Sequence, residues 1–393
     1  MGLLDQLRVG AYRFSISWPR VLPSGSGRIS EKGLAFYDSL VDALLEHGID
    51  PYVTLYHWDL PQALERRGGW TNRDVANWFA DYAALVARRL GDRVTSWMTL
   101  NEPMTVVGAG YLGGVHPPGR HSPIRAATAT HNLLLAHGRG YRAIKALRPG
   151  AQVGISNMFA PIYPHRGVDE RLARGLNEAF NALFMDPLYF GRYPKRLSRL
   201  VRLLNRSIRD SDWELIQTPP DFVGVNNYSR FIVRRLRLPF LGFRLARPDY
   251  LPVAFTDIGW EVYPEGFRRM LGWIRERYGN PPVYITENGA AYDEPLVQQE
   301  VKDQRRIDYL RRHLEKLHRV IADGQDIRGY FVWSLLDNFE WAHGYSQRFG
   351  LVHVDYSTLE RTPKASYWMY RDVCSSGTVQ LGGDSALAVR EDT

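Results

Sequence analysis

Two glutamates stand at the ends of apolar runs, Glu102 in "WMTLNEPM" and Glu287 in "VYITENGA". A run of that kind reads as a buried strand, so each carboxyl is delivered at a strand mouth rather than on a solvated helix face. Two carboxyls flanking an acetal can cleave it. One protonates the departing oxygen, and the other attacks the sugar carbon or activates water. A single strand-end glutamate equally caps a helix or pairs with an arginine. Two of them, set among Asn and Trp, favour the chemical reading.

The surrounding residues separate the two roles. Asn101, beside Glu102, can donate an amide hydrogen bond to a sugar hydroxyl next to the reacting carbon. A carboxyl near a second, ionised one has a raised pKa and can stay protonated as an acid. The attacking carboxylate must stay charged, and Arg13 and Tyr228 are placed to supply donors to Glu287. Trp58, Trp260, Trp333 and Trp341 accompany His57 and Glu340 in "YHWDL", "DIGWEVYP" and "FVWSLLDNFEWAHGY". Flat rings bordered by polar groups suit the C–H faces and hydroxyl edges of sugars, although each ring alone fits a core position as well.

The elements that must hold these residues are short apolar runs alternating with helical patterns, the signature of repeated βα units around a parallel sheet. Strands are predicted at 11–17, 51–57, 95–101, 152–157, 222–228, 282–288 and 327–335. Helical patterns such as "EKGLAFYDSLVDALLEHG" and "DVANWFADYAALVARRL" lie between them. Six of the seven runs end in residues that do chemistry: His57, Asn101 with Glu102, Asn157, Asn226 to Tyr228, Glu287 with Asn288, and Trp333. A parallel barrel opens all its C-terminal strand ends onto one face, which is where sites form, and a closed barrel of this type has eight strands.

Composition narrows the alternatives. The chain has 393 residues, 45% hydrophobic and 12% aromatic, enough for a large core. The only cysteine, Cys374, excludes an intrachain disulfide and fits a reducing, cytoplasmic setting. No run reaches the ~18 to 20 apolar residues of a membrane span, and "MGLLDQLRVGAYRF" lacks the pattern of a secretory signal. The net charge is +8, yet the most basic segment, Arg230 to Tyr250, alternates Arg with apolar residues and reads as an exposed hairpin. No nucleic-acid partner is expected.

"GAGYLG", Gly108 to Gly113, matches a dinucleotide pattern but is followed by "GVHPPGRHSP", which cannot open the required helix; it reads as a glycine-rich loop. His116, His121, His131 and His137 have no neighbours that would complete a ligand set and read as loop and helix-surface residues. With no H-E-x-x-H, paired cysteines or G-x-S-x-G, neither a metal nor a cofactor is expected, and the carboxyl pair with its rings points to a small-molecule sugar substrate. One domain is expected over 1–375, with a disordered tail at 376–393.

Taken together, "AYRFSISWPR", "LYHWDLPQALERRGGW", "TLNEP", "FVGVNNYSR", "YITENGA" and "FVWSLLDNFEWAHGYSQRFGLVHVDY" resemble the family 1 glycoside hydrolases, the β-glucosidase and β-galactosidase family, over about residues 3 to 375. The resemblance implies a (β/α)8 TIM-type barrel and a retaining double displacement on terminal nonreducing β-glucosyl or related residues. It implies Glu102 as acid/base and Glu287 as nucleophile. His57, Asn101, Glu340 and Trp341 would hydrogen-bond the nonreducing sugar and Trp333 would stack under it. Asn226, Tyr228 and Arg13 would support the carboxylates, and Trp260 would line the leaving-group side.

Two departures from the family pattern stand out. Asn227 replaces a usual tyrosine, which reads as a packing change. Family members also carry a strand and a helix ahead of the segment matching "LLDQLRVGAYRFS". The first βα unit, with a glutamine that grips the sugar, is therefore expected to be missing here. On that expectation, a catalytically impaired, sugar-binding barrel is the alternative reading.

Overall fold

The structure, a computed structural model, describes residues 1–236, 242–248 and 253–379. Seven parallel strands form the central sheet: β1 (Ala11–Ser15), β2 (Asp50–Tyr56), β3 (Ser96–Asn101), β4 (Gln152–Met158), β6 (Val223–Asn226), β9 (Val283–Asn288) and β10 (Ile327–Val332), paired in that order. Each predicted run is observed, displaced by at most a few residues. A side sheet holds β5 (Ile162–Pro164), β7 (Phe231–Arg235) and β8 (Phe243–Ala246), and β11 (Val352–Val354) pairs with β12 (Arg361–Pro363). The antiparallel β7–β8 pair is the expected basic hairpin; its residues 237–241 and 249–250 lie outside the described residues.

Strands β2, β3, β4, β6 and β9 are buried along nearly their whole length. Helices cover one face and inward side chains fill the other, so these strands read as continuous apolar runs rather than alternating ones. The sheet curls round so that side chains from opposite walls touch. Tyr52 on β2 places its ring 5.3 Å from Tyr284 on β9 and 5.0 Å from Phe331 on β10, an aromatic plug across the interior. The result is a nearly closed parallel-strand barrel.

The covering helices follow from apolar spacing. Val75–Leu90 buries Val75, Phe79, Tyr82, Val86 and Leu90, steps of three and four residues that define one face. That face packs on the helix Pro123–Leu147, whose start is fixed by Ser122 accepting from Arg125 N and by Pro123 in the first turn. Gly138 lets this helix approach a second backbone closely, since a Cβ there would lie 1.9 Å from Leu215 O. Among the described residues no helix is long and apolar enough to cross a membrane.

Several expectations are corrected. His131 and His137 are wholly buried rather than on a helix surface, because the 123–147 helix is covered on more than one side. Each finds a polar partner. His131 bonds Tyr193 Oη and Asp212, and His137 Nδ1 lies 2.7 Å from Thr99 Oγ1. "GAGYLG" is not a loop: the helix Pro103–Val107 runs on into a π-helical turn, Gly108–Leu112. The last helix, Ala365–Ser376, passes the expected boundary at Ser375, and residues 380–393 of the expected tail lie outside the described residues.

Candidate active site

The strand ends β1, β2, β3, β6 and β9 bring one polar network together. Glu102 follows the last residue of β3 and caps the helix Pro103–Val107, with Pro103 at its first position. Its backbone is left-handed, φ 45°, a conformation seldom adopted by a side chain of this size and often found at functional sites. The residue is 4% exposed. Asn226 Nδ2 donates to its Oε1 at 2.8 Å, and Thr105 Oγ1 donates to its Oε2 at 2.8 Å. Burial, reinforced by the negative charge of Glu287, raises the Glu102 pKa to about 7, against the pull of those two donors and of Arg13.

Glu287, near the end of β9, is held differently. Arg13 Nη1 reaches its Oε1 at 2.7 Å and the Tyr228 hydroxyl its Oε2 at 2.6 Å. Both are short bonds to an ionised group, and each carboxylate oxygen has its own donor. Arg13 also donates to Asn101 Oδ1 at 2.7 Å, and Asn226 Nδ2 lies 3.1 Å from the same oxygen. One side-chain network therefore runs from Glu287 through Arg13, Asn101 and Asn226 to Glu102. At one end a carboxyl is paired with a cation and a phenol; at the other it meets only neutral donors.

Arg13 fixes the orientation of Asn101, since a guanidinium only donates. Asn101 Nδ2 then faces His57 Nε2 at 3.1 Å, so that nitrogen is the acceptor and Nδ1 bears the hydrogen. His57 keeps an exposed edge, yet its enclosure lowers its pKa to about 4, so the ring is neutral at pH 7. One of the two Asn101 amide hydrogens is thus directed at His57, and the other is left for a sugar hydroxyl.

Aromatic rings wall the network. Trp333 and Trp341 lie 5.9 and 5.8 Å from His57, and Trp58 lies 4.8 Å from Trp341. Trp58 Nε1 donates to Asn101 O at 2.9 Å. On the other side Trp260 packs 5.0 Å from Tyr228. Trp58 and Trp341, like Glu102, have left-handed backbones, φ 83° and 40°. Glu340 is half-buried, and burial together with the Glu287 charge raises its pKa to about 7.

All the sequence-predicted site residues fall within this network or its aromatic wall. Other strand-end residues serve packing. Asn157 Nδ2 turns to Met185 Sδ, and Asn288 binds Asn227 O, Tyr309 and Tyr330. Asn227 donates to Phe159 O at 2.7 Å, in keeping with a packing change. His116, expected as an ordinary loop residue, sits 5.2 Å from the Trp58 ring at the edge of the wall.

Two residues escaped the sequence reading. Thr105 is three positions after the helix cap Glu102, the spacing at which cap and third-position side chains meet, so the signal was present. Thr286 precedes Glu287, and its hydroxyl lies 2.6 Å from Asn226 Oδ1; no sequence pattern marks it. Among the described residues no group of three or more His, Cys, Asp or Glu could hold a metal ion.

The profile of Glycosyl hydrolase family 1 matches residues 1–378. Because it matches from the first residue, the expectation that the first βα unit is missing is not borne out. The chain is 44% identical to beta-glucosidase A of Thermotoga maritima over 388 residues, 96% of this chain and 85% of that protein. It is likewise 44% identical to a 1,4-beta-D-glucan glucohydrolase of Thermotoga neapolitana over 381 residues, covering 94% and 84%. Its structure is similar, with a TM-score of 0.92, to the Thermotoga maritima beta-glucosidase in complex with noeuromycin, covering 96% of this chain and 86% of that one. With the motifs, the barrel and this match agreeing along the chain, it belongs to glycosyl hydrolase family 1.

Proposed function

We propose that this enzyme hydrolyses terminal nonreducing β-D-glucosyl or closely related residues by double displacement, with Glu287 as nucleophile and Glu102 as acid/base. One observation carries the assignment: two buried carboxyls share a hydrogen-bonded network but have opposite surroundings. Arg13 and Tyr228 each donate to one Glu287 oxygen and so hold this carboxylate in place to attack the sugar carbon. Burial and the neighbouring charge favour the protonated form of Glu102, the state that protonates the leaving oxygen.

In the first step the carbon–oxygen bond to the leaving group breaks, the Glu102 proton passes to that oxygen, and a Glu287 oxygen bonds to the sugar carbon. In the second step water displaces Glu287 and gives its proton to Glu102. His57, Asn101, Glu340 and Trp341 would bind the sugar's hydroxyls, with Trp58 bracing that edge and Trp333 beneath the ring. Asn226 and Tyr228 would position the carboxyls, and Trp260 would face the leaving group.

The β-glucosidase names of the relatives support a glucoside-like substrate. The fully satisfied carboxylate shell supports turnover over a binding-only barrel. We read residues 1–375 as a single (β/α)8-type domain working in the cytoplasm, the setting suggested by the lone cysteine. The test is hydrolysis of p-nitrophenyl β-glucoside, with the first-formed sugar as the β-anomer and with the rate lost in Glu287→Gln. Equal activity in that variant, or an α-anomer as first product, refutes the reading.

A further inference from the structure

We propose that Thr105 is a positioning residue for Glu102: it marks Oε2 as the oxygen that carries the acid proton and steadies the carboxylate once that proton has gone. The proposal rests on the acid/base reading of Glu102. Its starting point is the chemical difference between the two donors that meet this carboxyl.

Glu102 Oε1 faces Asn226 Nδ2 at 2.8 Å, and an amide nitrogen can only donate. This amide cannot be turned over. Reversal would set its oxygen 3.1 Å from Asn101 Oδ1, an acceptor already committed to Arg13 at 2.7 Å. Protonated, Oε1 would be a weaker acceptor for the Asn226 amide hydrogen than it is as the carbonyl oxygen, so this contact favours the acid proton on Oε2. There the neighbour is the Thr105 hydroxyl at 2.8 Å, which can both donate and accept.

The hydroxyl can therefore follow the reaction. While Oε2 is protonated, the Thr105 hydrogen turns away, with Met158 Sδ at 3.9 Å as a weak acceptor. When the proton passes to the leaving oxygen, the hydroxyl swings back and donates to the bare Oε2. It turns away again when water returns a proton to Oε2. No atom beyond the established reactants is needed.

The charged and titratable groups facing Glu102 are Glu287 from β9, which favours its protonated form, and Arg13 from β1, which opposes it. Tyr228, after β6, faces it as a neutral phenol, its own pKa raised by burial and by both glutamates. Asn226 and Thr105 provide the neutral donors, and of these only the hydroxyl can reverse its role. Both hydrogen bonds act to lower the Glu102 pKa.

Thr105→Val preserves shape and removes the hydroxyl. The alkaline limb of kcat/KM for p-nitrophenyl β-glucoside should then move up by about 0.5 to 1 pH unit, the effect of one neutral hydrogen bond. Thr105→Ser should bring it back, while the acidic limb and the melting temperature stay in place. A merely structural threonine would change the melting temperature without moving the limb. If the valine variant does not fold, Thr105→Ala removes the same donor and carries the same expectation. A folded variant with an unshifted alkaline limb overturns the proposal. Glu102→Gly tests the underlying reading separately. Its activity on an activated glucoside should fall and be restored by azide, whereas full activity without azide would sink the acid/base assignment itself.

Discussion

Thr286 and Asn226 are joined side chain to side chain: the threonine hydroxyl donates to the amide oxygen at 2.6 Å, on the side of the amide away from Glu102. Both residues are almost fully buried. Thr286→Val would leave the Asn226 oxygen without a partner and loosen the amide that holds Glu102. A net bond of this kind is worth about 0.5 to 1.5 kcal/mol, so kcat/KM should fall roughly three- to tenfold. Thr286→Ser should recover most of the loss, as steady-state kinetics on p-nitrophenyl β-glucoside would reveal.

The pH profile provides a second check. Glu102 must be protonated to act as an acid, and its pKa is raised to about 7, so activity should decline as pH climbs through that value. Glu340 is raised to about 7 as well and could account for the same limb. Glu340→Gln separates the two. The limb should persist in this variant while KM rises; a limb that vanishes with Glu340 would transfer the titration to that residue.

Stability should also depend on pH, through histidines outside the pocket. Burial lowers the His137 pKa from 6.5 to about 4 and that of His313 to about 3. The unfolded chain therefore binds more protons between those values and 6.5, and stability falls as pH drops through that window. The loss is at most about 3 to 5 kcal/mol per histidine. Melting curves of wild type and His137→Gln at pH 7 and 4.5 would measure it. The variant should be less stable at pH 7 but lose less on acidification.

Gly138 offers a packing test remote from the chemistry. A methyl group there would meet Leu215 O at 1.9 Å, well inside contact distance, and that obstacle is backbone. Gly138→Ala should cost about 1 to 3 kcal/mol or more despite the higher helix propensity of alanine. A melting temperature unchanged from wild type would mean that the helix shifts freely, contrary to the tight packing described.

Much of this was legible in the sequence because a parallel barrel covers its strands on both faces. "TSWMTLN" and "PVYITEN" show as uninterrupted apolar runs, and the polar residues that end them are conspicuous. Glu102 and Glu287 were found that way, while Arg13 and the tryptophans came from asking which nearby residues could serve the carboxyls and a sugar ring. Burial of polar helix residues was not legible. His131 and His137 look like surface positions, and only the tertiary covering of their helix encloses them. The π-helical turn at 108–112 was hidden because three of the six residues in "GAGYLG" are glycine, a poor helix former. Thr286 was missed because a threonine in a strand is ordinary, and its importance comes from an amide on the neighbouring strand.

Trp58, Glu102 and Trp341 come from three different connecting segments, yet each holds a left-handed backbone at the pocket. Such conformations cost on the order of 1 to 3 kcal/mol apiece whether or not a sugar is bound. The catalytic mouth therefore carries backbone strain, whereas no non-glycine residue in the seven strands beneath it has a left-handed backbone. On warming, the mouth should slacken before the sheet comes apart, so that thermal inactivation precedes loss of secondary structure and is reversed by cooling from temperatures below the melt.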